Sequence, residues 1–200
     1  MKLIQQISEA EFVAEFLKAE INSPRFRDRI ITALDGMDAA IIVKPDLDNK
    51  VENHLRKSIL GKTRGYGLNK DLFNKFPANV VWYRALINKD ELSKVMYIDY
   101  SYWNVISSYT RLPTVARHNI LKNVRVFGVS NKGFIEISQI IAQGKTLPRL
   151  ILVARNPKSR IVVLEGHARL TAYFLDPDWI PEPLEVIIGY SDDFQYWDLY

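Results

Sequence analysis

The stretch Ile161-Val162-Val163-Leu164-Glu165-Gly166-His167-Ala168-Arg169-Leu170-Thr171-Ala172-Tyr173 decides the fold around it. Its first four residues are apolar and rich in β-branched side chains, which predicts a short buried strand. After the glycine, the apolar residues Leu170, Tyr173 and Phe174 recur at helical spacing. The sequence therefore predicts a strand, a glycine turn and a helix.

This turn has the features of an anion-binding site. The first turn of a helix leaves backbone N–H groups unpaired and carries the positive end of the helix dipole. Gly166 would let a ligand approach this backbone closely, and Arg169 adds a positive charge. We therefore predict a phosphate-binding site with contacts from Gly166, His167, Arg169 and the hydroxyl group of Thr171.

Each of these residues also has an interpretation without a ligand. Gly166 is typical of a simple turn, Arg169 could pair with Glu165, and Thr171 could face solvent. His167 is a candidate phosphate contact or acid–base group near neutral pH, and equally a partly exposed structural histidine. Glu165 is the nearest candidate base or metal-binding carboxylate, and the alternative is a charge that balances nearby arginines.

Composition narrows the class of protein. The chain has 200 residues, which suits one domain, or one domain with a helical extension. A hydrophobic fraction of 48% and a charged fraction of 25% are typical of soluble globular proteins. The lack of cysteine excludes disulfides, thiolate metal sites and cysteine nucleophiles. With no membrane-length apolar run and no signal-peptide core, we expect a cytoplasmic protein without a membrane partner.

Charge is distributed unevenly along the chain. Residues 111–160 hold ten Lys and Arg residues against one acid, Glu136, whereas residues 176–200 hold seven acids and no Lys or Arg. The basic segment indicates a phosphorylated ligand or a nucleic acid. The alternative is a solvated basic face that the acidic tail neutralises.

Helix and strand signals divide the chain near Pro77. Residues 1–77 are expected to be mainly helical, with a capping box of Ser8 and Glu11 and a third helix between Asp48 and Gly61. Residues 78–200 predict an α+β domain, including a helix that Gly144 ends. Its strands are expected over 80–87, 124–129, 150–153, 161–164 and 184–188.

The segment from Phe134 to Gly189 resembles the core of the ParB/sulfiredoxin superfamily. The matching features are a helix that ends at Gly144, Pro148 before a strand, a hairpin, the Gly-x-x-Arg turn at 166–169 and a closing strand. The resemblance implies a ParB/sulfiredoxin-like mixed-sheet domain over residues 78–200, behind the helical region of residues 1–77.

The function that this resemblance implies varies within the superfamily. ParB-like partition proteins bind CTP with the Gly-x-x-Arg turn on the phosphates, and their arginine motif near the nucleotide makes Arg111 and Arg117 further candidates. Sulfiredoxins place a catalytic cysteine after the glycine, where this chain has His167, so their chemistry is excluded. Free serine kinases use a similar Glu-Gly-His turn, but Ala168 stands where their second histidine is expected.

Three functional hypotheses result. The first is binding of a phosphate-bearing ligand, such as the nucleotides CTP or ATP with Mg²⁺, at Glu165 to Thr171. The second is nucleotide hydrolysis or phosphoryl transfer, with Glu165 and His167 as the catalytic candidates and Mg²⁺ as the cation. The third is a DNA-associated ParB-like protein or nuclease that uses the basic segment 111–160. No metal cluster among protein residues is predicted. The aromatic residues near the end of the chain could dock on another subunit of an oligomer or on their own domain.

Overall fold

A five-stranded mixed sheet runs through the centre of the molecule, in a computed structural model that describes residues 1–200. The strand order is β1-β2-β5-β3-β4. Strands β3 and β5 are parallel, and the other neighbours are antiparallel. The strands are β1 (Lys2–Ile7), β2 (Val81–Ile87), β3 (Ile151–Ala154), β4 (Ile161–Glu165) and β5 (Leu184–Tyr190).

Helices cover both faces of this sheet, and each face has its own apolar core. Alternate residues of β3 enter opposite cores, as the two-residue period of a strand requires. Ile151 and Val153 join the first core, and Leu152 and Ala154 join the second. The helices are α1 (Glu9–Glu20), α2 (Arg27–Leu34), α3 (Ala40–Val43), α4 (Lys50–Arg64), α5 (Lys89–Leu92), α6 (Ser101–Ile106), α7 (Pro113–Leu121), α8 (Lys132–Ala142) and α9 (His167–Leu175).

The first core joins the two predicted regions of the chain. It contains buried residues of helices α1 to α4, together with residues of β3, β4 and β5 and the aromatic side chains near the end of the chain. Helices α5 to α9 line the second core. The segment up to residue 77 therefore forms one helical layer on the sheet, and it packs directly against strands of the segment that follows.

The first residues of the chain form β1, which the sequence patterns did not indicate. This strand pairs with the open edge of β2 before Ser8 caps α1 by accepting from the Glu11 backbone N–H. One local expectation was wrong. The stretch 124–129 is not a strand, since residues Val126–Gly128 form a 3-10 turn. Only Val126 of this stretch is buried, so the valines do not line one face of a sheet.

The element order from α8 through β3, β4 and α9 to β5 agrees with the expected order of helix, strand, hairpin, turn, helix and closing strand. The α+β class and the mixed sheet are confirmed. None of the helices combines the length and the apolar character that crossing a bilayer requires.

Candidate functional site

The predicted turn is present where β4 ends and α9 begins. Gly166 lies between them with φ +100°, a left-handed conformation that L side chains rarely adopt. Its backbone carbonyl accepts from the Leu170 N–H at 2.8 Å, which closes the first turn of α9. No side chain at the N-cap position satisfies the backbone N–H groups at this helix end.

Protein atoms occupy the space that the sequence suggested for a ligand beside Gly166. A Cβ atom at this position would lie 2.5 Å from Leu150 Cδ2 and 2.9 Å from Arg169 Nη2. The glycine is therefore required by the packing of these two side chains over the turn. Any ligand would have to contact the turn from another direction or displace the guanidinium group.

Arg169 forms an ion pair with Glu165. This pairing is the alternative in which neither side chain contacts a ligand. Its Nη2 donates to Glu165 Oε2 and, at 3.4 Å, to the Arg149 carbonyl. The two paired side chains are 10% and 14% exposed, so the pair is largely withdrawn from water. Nε of Arg169 is buried and has no hydrogen-bond partner, which leaves one donor of the guanidinium group unused.

His167 is a neutral side chain in an aromatic stack. Its ring stacks on Trp103, with centroids 5.1 Å apart, and Trp103 stacks on Tyr97 at 4.6 Å. Burial, reinforced by the charges of Arg64, Arg169 and Arg25, lowers the pKa of His167 to about 3. The imidazole is thus poorly suited to acid–base catalysis near neutral pH. Its Nε2 is shielded from solvent and has no hydrogen-bond partner.

The hydroxyl group of Thr171 does not reach a ligand position, contrary to our expectation. Thr171 is fully buried, and its hydroxyl group donates to the His167 carbonyl at 2.8 Å and shares a hydrogen bond of 2.7 Å with the Tyr97 hydroxyl. These bonds engage the hydroxyl group with the helix backbone and with the second core.

Arg111 and Arg117 also lie away from the turn, so the expected arginine contacts from this loop are wrong. Arg111 donates to the Tyr97 and Tyr200 carbonyls at 2.8 Å and 2.9 Å, and so fixes the end of the chain. Arg117 approaches the Leu175 carbonyl at 3.5 Å. Leu175 is the last residue of α9, about 12 Å from its first residue at 1.5 Å per residue.

Charged residues of the helical layer approach the turn instead. Glu20, the last residue of α1, is 2% exposed, and its Oε1 lies 3.2 Å from Arg64 Nε at the end of α4. The Arg64 guanidinium lies over the Phe26 ring at 4.1 Å, and Arg25 lies over the same ring at 5.1 Å. Arg25 is exposed to solvent.

We did not predict a role for Glu20, Arg25 or Arg64 from the sequence, although the position of Glu20 in α1 is an indication. It follows Phe12 and Phe16 at spacings of eight and four residues, so it lies on the buried stripe of α1. A carboxylate on an apolar stripe is seldom buried unless it has a partner. Arg64 carries a weaker signal, because it follows the buried residue Leu60 by four positions.

Electrostatic interactions connect the helical layer with the turn. Burial raises the pKa of Glu20 to about 8, an effect that the Arg64 charge opposes and the Glu165 charge strengthens. Burial also lowers the pKa of Arg64, and Glu20 acts against that shift. The charges of three arginine side chains from separate segments, Arg25, Arg64 and Arg169, therefore affect the pKa values of both Glu20 and His167. These five residues and Glu165 are called the polar cluster below.

The residues at the turn do not fit a magnesium ion. Mg²⁺ needs carboxylate oxygens that are free to coordinate, and the Glu165 carboxylate is held by Arg169. No group of three or more His, Cys, Asp or Glu side chains is placed to hold a metal ion. The chemistry that the turn offers is hydrogen-bond donation to an anion.

Part of the positive charge of the basic segment 111–160 is paired within the molecule. Several of its charges bind other parts of the chain, including Arg111 at the end of the chain and Arg149, which pairs with Glu15 and Glu185. Arg160 donates to the Tyr200 carbonyl at 3.0 Å, and Lys132 pairs with Glu136. The pair of Arg149 with Glu185 links the segment to the acidic tail.

Two shallow surface depressions lie elsewhere. One, of about 260 Å³, lies between α1 and α4 and is lined by residues that include Glu9 and Lys57. The other, of about 370 Å³, lies between the hairpin of β3 and β4 and the end of the chain, beside Arg160 and Tyr200. Neither depression includes a residue of the turn.

Comparisons of the chain with protein-family models, with curated proteins and with solved structures found no match. Function is therefore inferred from the geometry of the turn and its surroundings.

Proposed function

We propose that this chain binds a phosphate-bearing ligand, with a nucleotide as the leading class, at the start of α9. The proposal rests on two buried polar atoms at the start of α9 that have no hydrogen-bond partner, His167 Nε2 and Arg169 Nε. In the helical layer, Glu20 Oε2 also has no partner, and Arg64 Nε has only its ion-pair contact with Glu20 Oε1. Because buried polar atoms in proteins are normally hydrogen-bonded, such a group favours an additional polar partner.

The charges around the turn favour an anion as that partner. Arg25, Arg64 and Arg169 contribute three positive charges, and Glu165 contributes one negative charge. The start of α9 adds the positive end of a helix dipole and its backbone N–H groups. Guanidinium groups match the oxygen atoms of a phosphate group in charge and in geometry.

A nucleotide is the leading class because of the resemblance to the ParB/sulfiredoxin superfamily, some of whose members bind CTP or ATP. In this proposal, the phosphates contact backbone N–H groups of the Gly166 turn and the guanidinium groups. The ligand enters from the side of Arg25, which is the exposed member of the three arginines.

The other two hypotheses have weaker support. Catalysis by Glu165 and Mg²⁺ would require the carboxylate to leave Arg169, and catalysis by His167 would require an imidazole with a higher pKa. DNA binding by the segment 111–160 would depend on the charges of that segment which remain unpaired. No specific observation in the structure favours either hypothesis.

Titration calorimetry of the full chain with CTP, ATP and pyrophosphate at pH 7 tests the proposal. We expect at least one of the three to bind, and the Arg25→Ala variant to bind it about fivefold more weakly, the equivalent of about 1 kcal/mol for an exposed charge. The matched control is Arg27→Ala, which removes another exposed arginine in the first turn of α2. Absence of binding by all three ligands, or equal losses in the two variants, would contradict the proposal.

A further inference from the structure

The depression between the β3–β4 hairpin and the end of the chain is lined by two arginines and by no acidic residue. Its volume of about 370 Å³ is in the range of sites for small molecules. We call it the hairpin depression. Its lining residues are Arg155, Ser159, Arg160, Gln195 and Tyr200.

The hydroxyl group of Tyr200 fixes the two arginines next to each other. Ala154 and Ile161 form the last pair of the β3–β4 ladder before the connecting turn. Arg155 and Arg160 are therefore the next facing residues of the hairpin. The hydroxyl group accepts from the Arg155 backbone N–H at 3.3 Å and donates to the Arg160 carbonyl at 2.6 Å. Both side chains start from this bridged pair of residues and line the same depression.

Neither guanidinium group has an acidic partner, since Arg155 and Arg160 form no salt bridge with an Asp or Glu side chain. Like charges that face each other across a hairpin are destabilising. In addition, Arg155 Nε is buried and has no hydrogen-bond partner. An anion between the two guanidinium groups would remove their mutual repulsion.

Contacts within the protein already orient the Arg160 guanidinium group. Its Nη2 donates to the Tyr200 carbonyl at 3.0 Å, and its Cζ lies 4.5 Å from the centroid of the Tyr200 ring. A guanidinium group that is held in this way loses less freedom when it binds a ligand. On the side of the end of the chain, the exposed Gln195 adds an amide donor from the 3-10 turn of residues 192–196.

We propose that the hairpin depression binds an oxyanion, the phosphate or carboxylate group of a small molecule, between the guanidinium groups of Arg155 and Arg160. The amide group of Gln195 donates a further hydrogen bond to it. Guanidinium groups bind both kinds of oxyanion through paired N–H donors. This site shares no residue with the polar cluster, and it does not rest on the proposed function.

Titration of the ¹⁵N-labelled full chain with inorganic phosphate and with succinate, at pH 6.5 and constant ionic strength, tests the proposal. NMR spectra report on the Nε–Hε groups of Arg155 and Arg160 and on the backbone amides of residues 155–160. We expect saturable shifts of these signals with at least one of the two anions. Tighter binding of phosphate would assign the site to phosphate-bearing ligands, and tighter binding of succinate would assign it to carboxylates.

Two variants remove contacts from the depression. Arg155→Gln should bind the anion about tenfold more weakly, because a charge-assisted hydrogen bond is lost. Without an anion it should be at least as stable as the parent, since one of two facing like charges is gone. Gln195→Ala changes an exposed side chain without altering the charge, and should bind about threefold more weakly.

The matched control is Arg125→Gln, which removes an exposed arginine of the same basic segment that does not line the depression. It should keep the affinity of the parent. Equal affinities in the parent, Arg155→Gln and Gln195→Ala would overturn the proposal. So would the absence of saturable shifts with both anions, or shifts confined to residues 166–168, which would indicate binding only at the start of α9.

Discussion

Replacement of Gly166 by alanine tests the packing of the turn. At φ +100° a Cβ atom is strained, at about 1–2 kcal/mol for a left-handed residue. The same atom would collide with the buried Leu150 side chain at 2.5 Å and with the Arg169 guanidinium at 2.9 Å. Forcing an atom into a packed site adds about 1–3 kcal/mol. We therefore expect the Gly166→Ala variant to lose about 3 kcal/mol of unfolding free energy.

Gly144→Ala is the matched control, because Gly144 also has a positive φ, of +71°, but has no atom within 4 Å of the added Cβ position. It should lose only the backbone part, about 1 kcal/mol. Urea denaturation, followed by far-ultraviolet circular dichroism and tryptophan fluorescence, gives both free energies. Equal losses in the two variants would refute the conclusion that Leu150 and Arg169 fill the space beside Gly166.

Three other predictions concern the charges of the cluster. Arg169→Met should lower the free energy of unfolding by about 3 kcal/mol, because it leaves Glu165 buried without a partner. Adding Glu165→Gln should restore part of this loss, and a double variant no more stable than Arg169→Met would contradict the prediction. The imidazole resonances of His167 should not titrate in NMR spectra between pH 5 and pH 8, and a midpoint near 6.5 would show that the ring is not buried as described. Glu20→Gln should stabilise the chain increasingly from about pH 5 to pH 8, because the raised pKa of Glu20 in the folded state makes the parent lose stability as pH rises. A difference in unfolding free energy between variant and parent that stays constant over this pH range in urea titrations would contradict the raised pKa.

Local patterns predicted the elements around the turn correctly. The apolar run before Glu165 and the helical spacing after Gly166 are properties of adjacent residues, and β4 and α9 form where these patterns lie. The end of the third helix was misplaced. Gly61 lies inside α4, where a Cβ atom would approach the Tyr66 carbonyl oxygen at 3.0 Å. The helix ends instead at Gly65, which has φ +90°.

Because the end of α4 was misplaced, the sequence did not indicate that Arg64 lies beside Glu20. A helix that ended at Gly61 would leave Arg64 in a loop, whereas the longer helix places its guanidinium beside Glu20. Glu20 and Arg64 lie about 100 residues or more before Glu165 in the sequence, and they approach the turn only because the helical layer packs on the sheet. Spacing along the chain carries no information about such a contact.

The sequence alone also could not show that Glu165 and Arg169 pair with each other. Glu165 and Arg169 are four residues apart, which is compatible with an ion pair and equally with two independent ligand contacts. In the structure the two residues form an ion pair, and both side chains are largely buried, which leaves the Glu165 carboxylate little access to water. The position of Thr171 was likewise decided by Tyr97, a residue distant in sequence that engages its hydroxyl group.

A crystal structure of the full chain grown with saturating ATP or CTP tests the central proposal most directly. We expect a phosphate group within hydrogen-bond distance of the backbone N–H groups of His167 and Ala168, with a guanidinium contact from Arg64 or Arg169. A nucleotide bound elsewhere, for example beside Arg160 and Tyr200, with no phosphate at the start of α9, would contradict it.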